Sequence, residues 1–537
     1  MSESINITII TEDAPNGHKE VNIAHDKNMT LMSTLLKEGL MSVDNCGGRG
    51  TCGRCRIRFM TYAPIPTGLE RRTFSPEELR QGCRLACMAK PQNDCAIRLE
   101  FINNREIDIV TVAQSTLDGI SDNQKRHLIA VDLGTTTIAM QLVELGTGKV
   151  IDTYCAMNPQ RVYGSDVLSR IQAANSGQAD SMKESVWKVI SDGVYTFLNI
   201  SSNNTSSRNI TNHNKANLNK TDYSVQSNID CICIAGNTTM EHILMGLSTE
   251  GLGKSPFAPV ELGLQKCAMP GYDFLVYITP GISTFVGGDI VAGLYHCNLL
   301  PPLTEEVSEL SEGTGAQLFI DLGTNGEMAI KSGNRIIVTA TAAGPAFEGG
   351  AGAAVPGSDM IKITASLLEH RIIDETGLLS EPYFDNGVDI AIPPTSDSIR
   401  DIDRSTSNNI HLTQSDIRAL QMAKAAVRAG IDILCQKAGN PKIDNVYLAG
   451  GFGYYLDVNA AVTIGLLPEN LRDCTQAAGN TSLAGAYDIG RDMLTGIVNK
   501  NTLEKRIQQI ESINLAQEDD FDRLYISYLN FDNGRNT

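Results

Sequence analysis

The sequence predicts an α/β, multidomain chain in which a small strand-rich unit with a cysteine cluster precedes a larger α/β unit built by duplication. Three observations predict this. Cys46, Cys52, Cys55 and Cys87 gather within the first 100 residues, beside several glycines. The pattern apolar strand, Asp-Leu-Gly-Thr, apolar strand occurs twice, at 127–145 and 316–330. A third apolar strand, at 443–449, runs into Gly450-Gly451-Phe452-Gly453. With 537 residues the chain is too long for one core, and at about 100–200 residues per domain it holds about three or four. Apolar residues at 42% and charged residues at 20% suit a globular protein. The net charge of −18 argues against nucleic acid or an anionic membrane as a partner. No run of about 18 apolar residues occurs, and MSESINITII lacks the basic stretch that opens a secretory signal. The expectation is a soluble, cytoplasmic protein.

The first unit, 1–100, reads as strand (5–10), strand (20–24), helix (29–40), cysteine loop and strand (55–60). Thirteen cysteines are an odd number, so complete pairing is impossible, and nine of them read as small core hydrophobes. The other four lie in DNCGGRGTCGRCRI and GCRLACMAK. Glycines let backbone N–H groups turn toward the sulfides of an inorganic cluster, which suits an iron–sulfur centre. A four-thiolate zinc site is the rival, but zinc has no need of the Gly/Arg/Thr loop between the first two ligands. With the C-x5-C-x2-C run and the later RLAC, this unit resembles the β-grasp [2Fe–2S] ferredoxins of the adrenodoxin/putidaredoxin type. That resemblance implies Cys46, Cys52, Cys55 and Cys87 as ligands, and Cys83 as a neighbour that is not one.

Residues 101–126 read as a linker or small connecting domain. In the first repeat, Asp132 ends a strand and Gly134-Thr135-Thr136-Thr137 make the turn; in the second, Asp321 precedes Gly323-Thr324-Asn325-Gly326. Such turns offer N–H groups and hydroxyls to phosphate oxygens. A carboxylate at the strand end can hold Mg²⁺ through water, because magnesium keeps most of its shell. Gly450, Gly451 and Gly453 let a ribose or base approach the backbone. Neither a GxxxxGK[ST] nor a strand-borne GxGxxG motif occurs. Two hairpins and a strand-GG turn resemble the ATPase superfamily of acetate kinase, sugar kinases, heat-shock chaperones and actin. The resemblance implies duplicated RNase-H-like halves, 127–300 and 301–537, facing each other over ATP. Residues 199–228, rich in Asn, Ser and Thr, read as a flexible insertion in the first half. Aromatic residues after Asp519 suggest a C-terminal cap.

Further segments narrow the family. NPQRVYGSDVLSRI (158–171), IAGNTTMEHILMG (234–246), PGISTFVGGDIVAGL (280–294), TAAGPAFEGG (341–350) and LTQSDIRALQMAKAAVRAGIDIL (412–434) occur in that order. Together with the ferredoxin-like unit they resemble the reductive activators of corrinoid proteins. The resemblance implies an ATP-hydrolysing iron–sulfur enzyme that reduces inactive Co(II) to Co(I) in a corrinoid methyl carrier. It implies a [2Fe–2S] cluster, ATP and Mg²⁺ as cofactors, an external low-potential electron donor, and suggests a homodimer. Asp132 and Asp321 would position Mg·ATP, with Asn237, Thr238 and Glu348 joining the cleft. Two other readings stand beside it: an ATP-dependent activator of a radical dehydratase, and a non-catalytic iron–sulfur electron-transfer protein. No cysteine follows Cys474, so the N-terminal cluster is expected to stand alone.

Overall fold

The structure is a computed structural model that describes residues 4–11, 19–27, 29–37, 55–74, 76–99, 126–164, 166–200, 229–302, 315–323, 325–343, 357–391, 409–453 and 456–531. Cys46, Cys52, Thr324 and Glu348, nearly all of the 101–126 connector and residues 201–228 of the insertion lie outside the described residues. The chain divides into two compact units, Met1–Ile107 with Gln160–Arg170, and Asp108–Pro159 with Ile171–Thr537.

The first unit holds β1 (Ser4–Thr11), β2 (Lys19–Asp26), α1 (Leu31–Lys37), β3 (Arg56–Phe59), β4 (Cys83–Leu85) and β5 (Cys95–Leu99). Alternation makes β1: Ile5, Ile7 and Ile9 are buried while Ser4 and Asn6 face out, the period-2 pattern of a strand with one covered face. Leu31, Met32 and Leu35 of α1 supply the cover, packing with Ile57, Leu85 and Ile97. The sheet order is β2-β1-β5-β3-β4, with β1 parallel to β5 and the other pairs antiparallel. This is the β-grasp arrangement that the strand-strand-helix order implies.

In the second unit, β6 (His127–Leu133), β7 (Thr137–Glu144), β8 (Val150–Met157), β9 (Ile229–Gly236), β10 (Gln265–Ala268) and β11 (Leu275–Ile278) form one sheet. A second sheet joins β12 (Ala316–Leu322), β13 (Gly326–Ser332), β14 (Arg335–Thr341), β17 (Ile443–Ala449), β18 (Thr475–Gly479) and β19 (Glu511–Ser512). Between β14 and β17 in sequence, β15 (Val388–Ala391) and β16 (Asn409–Leu412) form a separate ribbon. The orders β8-β7-β6-β9-β11 and β14-β13-β12-β17-β18 are the same path: an antiparallel meander, then two parallel strands on the far side of the first. The repeat read from two short motifs is therefore a repeat of topology. Only the additional edge strands differ, β10 beside β11 and β19 beside β14.

Helices that position or brace the two halves include α2 (Ala179–Ile200), α3 (Thr238–Met245), α4 (Gly288–His296), α5 (Gln414–Lys437), α6 (Thr481–Thr495) and α7 (Phe521–Ser527). Helix α5 starts on a capping box, Thr413 with Asp416, and buries Ile417, Leu420, Val427, Ile431 and Leu434 along one stripe. Each such fully buried aliphatic contributes about 1.5–3 kcal/mol. The C-terminal aromatics cover α5: Tyr528 donates its hydroxyl to Asp432, and Leu524 packs with Ala429 and Ile433. Helix α6 follows β18 in sequence but packs against α4, β6 and β9, so it fastens one half to the other. At that crossing a Cβ on Gly485 would come 1.9 Å from the Ala292 carbonyl oxygen, which makes glycine obligatory there. Among the described residues no helix is long and apolar enough to cross a membrane.

Candidate functional site

Ligands of open α/β sheets sit beyond the carboxyl ends of the parallel strands. Here β6, β9 and β11 end at Leu133, Gly236 and Ile278, and β12, β17 and β18 end at Leu322, Ala449 and Gly479. Asp132 and Asp321 are each one residue from the end of the central strand of their half. Asp132 pairs in register with Ala139 and Ala235, and Asp321 with Glu327 and Ala449.

The first hairpin closes between Leu133 and Ile138. Gly134 is needed for its tightness, since a Cβ there would lie 2.8 Å from the Thr137 carbonyl oxygen. Asn158 fixes the turn from outside: its Nδ2 donates to Gly134 O at 2.7 Å and its backbone N–H to Thr136 O at 2.9 Å. Thr137 opens β7. Asn237 caps α3, accepting from the Met240 N–H at 3.0 Å, and donates from Nδ2 to the Thr135 hydroxyl at 3.0 Å. The Thr238 hydroxyl is committed to Ser283 O at 2.7 Å. Both predicted residues thus stand beside the first hairpin, Asn237 touching it and Thr238 bracing the loop behind it.

The second hairpin closes between Leu322 and Gly326, with the Gly323 N–H donating to Asn325 O at 2.9 Å. Gly326 lies against Val427 of α5, whose methyl group would be 2.9 Å from a Cβ. Gly450, Gly451 and Gly453 form a single helical turn after β17. Gly450 has φ +85°, and a Cβ there would stand 2.5 Å from Asp321 Oδ1 and 2.8 Å from Leu322 O. The glycine turn therefore abuts the carboxylate of the second hairpin.

The structure adds acidic residues that were not expected. Glu327 faces Asp321 across the hairpin, and like charges directly opposite each other repel. Asp289 lies in the first turn of α4, reached by Gly287 and Gly288. A Cβ on Gly287 would be 2.5 Å from the Thr238 backbone nitrogen, and one on Gly288 2.3 Å from Glu241 Oε1. Burial pushes the Asp321 carboxyl up to about 8, with the charges of Asp289 and Asp132 adding to the shift. Burial raises Asp289 to about 7, and Asp132 contributes by repulsion. Glu327 is held well above the usual carboxylate range by burial and then by Asp289 and Asp321. Asp132 is raised by burial, against two opposing hydrogen bonds: Asn480 Nδ2 donates to Oδ2 and Ser482 Oγ to Oδ1, each at 2.9 Å. Crowded carboxylates of this kind fit a site that receives positive charge. Among the described residues no three acidic, Cys or His side chains converge as a ready-made metal site.

In the first unit, Cys55 and Cys87 are buried at 2% and 5% exposure, with sulfurs 3.1 Å apart. That is well beyond the roughly 2.05 Å of a disulfide, so the two sulfurs converge without being bonded to each other. The buried Glu70 holds this region in place, accepting from the Leu85 N–H at 2.8 Å and from the Thr67 N–H at 2.7 Å. Cys83 is buried in β4, and its sulfur accepts from Arg56 Nη2 at 3.4 Å. Of the four cysteines expected as ligands, the two that are described thus stand side by side, as a thiolate-held cluster would need.

Comparison with known proteins accords with this geometry. The C-terminal domain of RACo, the ASKHA domain, matches residues 315–355 and 351–536, and the RACo middle region matches 128–300. The corrinoid activation enzyme RamQ of Eubacterium limosum is 27% identical over 429 residues, 71% of this chain and 67% of RamQ. A Co(II) methylated amine-specific corrinoid protein reductase of Methanosarcina barkeri is 23% identical over 443 residues, 75% of this chain and 76% of the reductase. A solved structure described as a reductive activator for a corrinoid, iron–sulfur protein has the same fold, with a TM-score of 0.60, 22% identity and 98% of each chain covered.

Proposed function

The chain belongs to the RACo family of reductive activators of corrinoid proteins, and on that premise we propose that it uses ATP to return a corrinoid methyl carrier from Co(II) to Co(I). What supports the reading is the pairing, in one polypeptide, of the converging Cys55 and Cys87 thiols with two topologically repeated hairpins that each carry a buried carboxylate. Cys46, Cys52, Cys55 and Cys87 would hold a [2Fe–2S] cluster, which supplies single electrons when bound. A plant-type centre sits at about −400 mV. The family resemblance implies a still lower Co(II)/Co(I) couple, and each further ~59 mV makes a one-electron transfer tenfold less favourable. An energy source that favours the reduced complex is therefore required.

Residues 127–300 and 301–537 serve as the two halves of the nucleotide cleft. Asp132 and Asp321 orient Mg²⁺ through its water, and Glu327 and Asp289 add negative charge that the cation offsets. The turns at 134–137 and 323–326 contact phosphates, Asn237 keeps the first turn in place through Thr135, and the glycine turn at 450–453 approaches the nucleoside. An external low-potential donor reloads the first unit, and the working form is a homodimer.

The test supplies a corrinoid protein with this chain, a reductant and Mg·ATP, and follows the Co(I) absorbance. Co(I) should appear only with ATP, and Asp132→Ala or Asp321→Ala should abolish it while leaving the reduced cluster's EPR signal intact. Nucleotide consumption indifferent to every corrinoid protein offered would overturn the reading.

A further inference from the structure

Both oxygens of Asp132, one of the two predicted Mg²⁺-orienting carboxylates, accept hydrogen bonds from the opposite half. Asn480 and Ser482, which supply them, stand 348 and 350 residues later in the chain. We propose that Asn480 and Ser482 are positioning residues for nucleotide hydrolysis, fixing the Asp132 carboxylate so that the first hairpin works only when the start of α6 is seated against it. The proposal rests on the reading of Asp132 as an Mg·ATP residue.

The geometry gives the two donors little freedom. Asn480 is the N-cap of α6, and its Oδ1 accepts from the Leu483 N–H at 2.9 Å while its Nδ2 faces Asp132 Oδ2. One amide group is thus used at both ends, and its orientation is set by where the helix begins. Ser482 is 95% buried two residues on, and its hydroxyl reaches Oδ1. Helix α6 itself cannot slide. Gly485 sits under the Ala292 carbonyl, and a Cβ on Gly490 would meet Leu128 of β6 at 2.6 Å. Further along, Asp492 accepts from the Tyr295 hydroxyl at 2.6 Å and Asp488 pairs with His296 Nδ1 at 2.7 Å. Those partners lie at the end of α4, whose first turn carries Asp289. The two helices therefore form one rigid piece, with Asp289 at the head of one and the Asp132 donors at the head of the other. A carboxylate held through both oxygens has no other rotamer available without losing both bonds, and misplacement of a reacting group by about 1 Å costs about 10²-fold in rate.

Asn480→Ser keeps a good helix cap but is too short to reach Asp132, and Ser482→Ala removes only the hydroxyl. Both are measured in the full chain for ATP hydrolysis over a range of ATP and Mg²⁺ concentrations, with thermal midpoint alongside. Each should lower kcat about tenfold and the pair about 10²-fold, with KM for ATP within about twofold and the midpoint little changed. Ser482→Thr, which retains a hydroxyl, should recover most of the loss, and its recovery separates positioning from folding. Wild-type kcat in the double variant overturns the inference, as does a loss of activity that only follows the loss of folded protein. Wild-type protein that hydrolyses no ATP and binds none would instead overturn the reading of Asp132.

Discussion

Replacing Gly450 by alanine isolates the contact between the glycine turn and the second hairpin. At φ +85° an L-residue incurs about 1–2 kcal/mol of backbone strain, which should appear as lost stability of the second unit. The added Cβ would also stand 2.5 Å from Asp321 Oδ1 and 2.8 Å from Leu322 O. The Leu322 oxygen belongs to the β12 backbone and cannot retreat, so the Asp321 side chain gives way by several tenths of an ångström or more. If that carboxylate orients the cation, Mg·ATP hydrolysis should fall about 10²-fold, since positioning errors near 1 Å have effects of that size. Gly439→Ala is the control: it has the same φ of +85° in the loop before β17, but a Cβ there would meet nothing within 4 Å. Calorimetric titration with Mg·nucleotide, steady-state ATPase and thermal unfolding would be read for both variants. Gly450→Ala binding and hydrolysing nucleotide within about twofold of Gly439→Ala would refute the placement of Asp321 in the nucleotide site.

Two further outcomes rest on the electrostatics and the thiols. Asp321 at about 8 and Asp289 at about 7 both lie above the ordinary carboxylate value of 3.8. The native protein thus retains protons that the unfolded chain has lost, so the empty protein should lose stability as pH rises from about 4 to 8. A cation favours the ionised forms, so Mg·nucleotide should bind more tightly as pH rises from about 6 to 8 and release protons on binding, seen as buffer-dependent heats; binding independent of pH would contradict this. In the first unit, Cys87→Ser should remove most of the bound iron and the S = 1/2 EPR signal, whereas Cys83→Ser, buried beside Arg56, should keep both. The opposite result would exchange their roles.

The sequence made the hairpins legible because each is local: strand, carboxylate, turn and strand lie within about 19 residues, a span over which alternation and turn chemistry act directly. The first-unit strands were legible for the same reason, as Ile5, Ile7 and Ile9 show. Glu327 could have been found. A turn closing at Leu322 and Gly326 places Asp321 opposite Glu327 by register alone, and two facing carboxylates on a hairpin indicate a cation. Asp289 carried a fainter sign, two glycines immediately before an apolar helix. Their meaning appears only when Asn237, Thr238 and Glu241 crowd the backbone there.

Asn480 and Ser482 were beyond reach of pattern reading, and the reason is physical. In sequence, GNTSLAGA is an ordinary capped helix start with small residues, and the cap accounts for Asn480 fully. Its second use depends on α6 leaving the sheet that precedes it and lying across β6 of the other half, which Gly485 and Gly490 permit by removing the side chains that would hold the helices and sheet apart. Duplication predicts two equivalent halves, each with its own aspartate. It does not predict that the second half would grip the first half's aspartate through both oxygens, while Asp321 meets instead a glycine turn and an opposing glutamate. The asymmetry gives the two carboxylates different freedoms. Asp132 moves only with α6, whereas Asp321 moves with the hairpin and the glycine turn of its own half. A nucleotide that contacts both must therefore bring α6 and the second hairpin into one relation, and a change in its phosphates would alter that relation first.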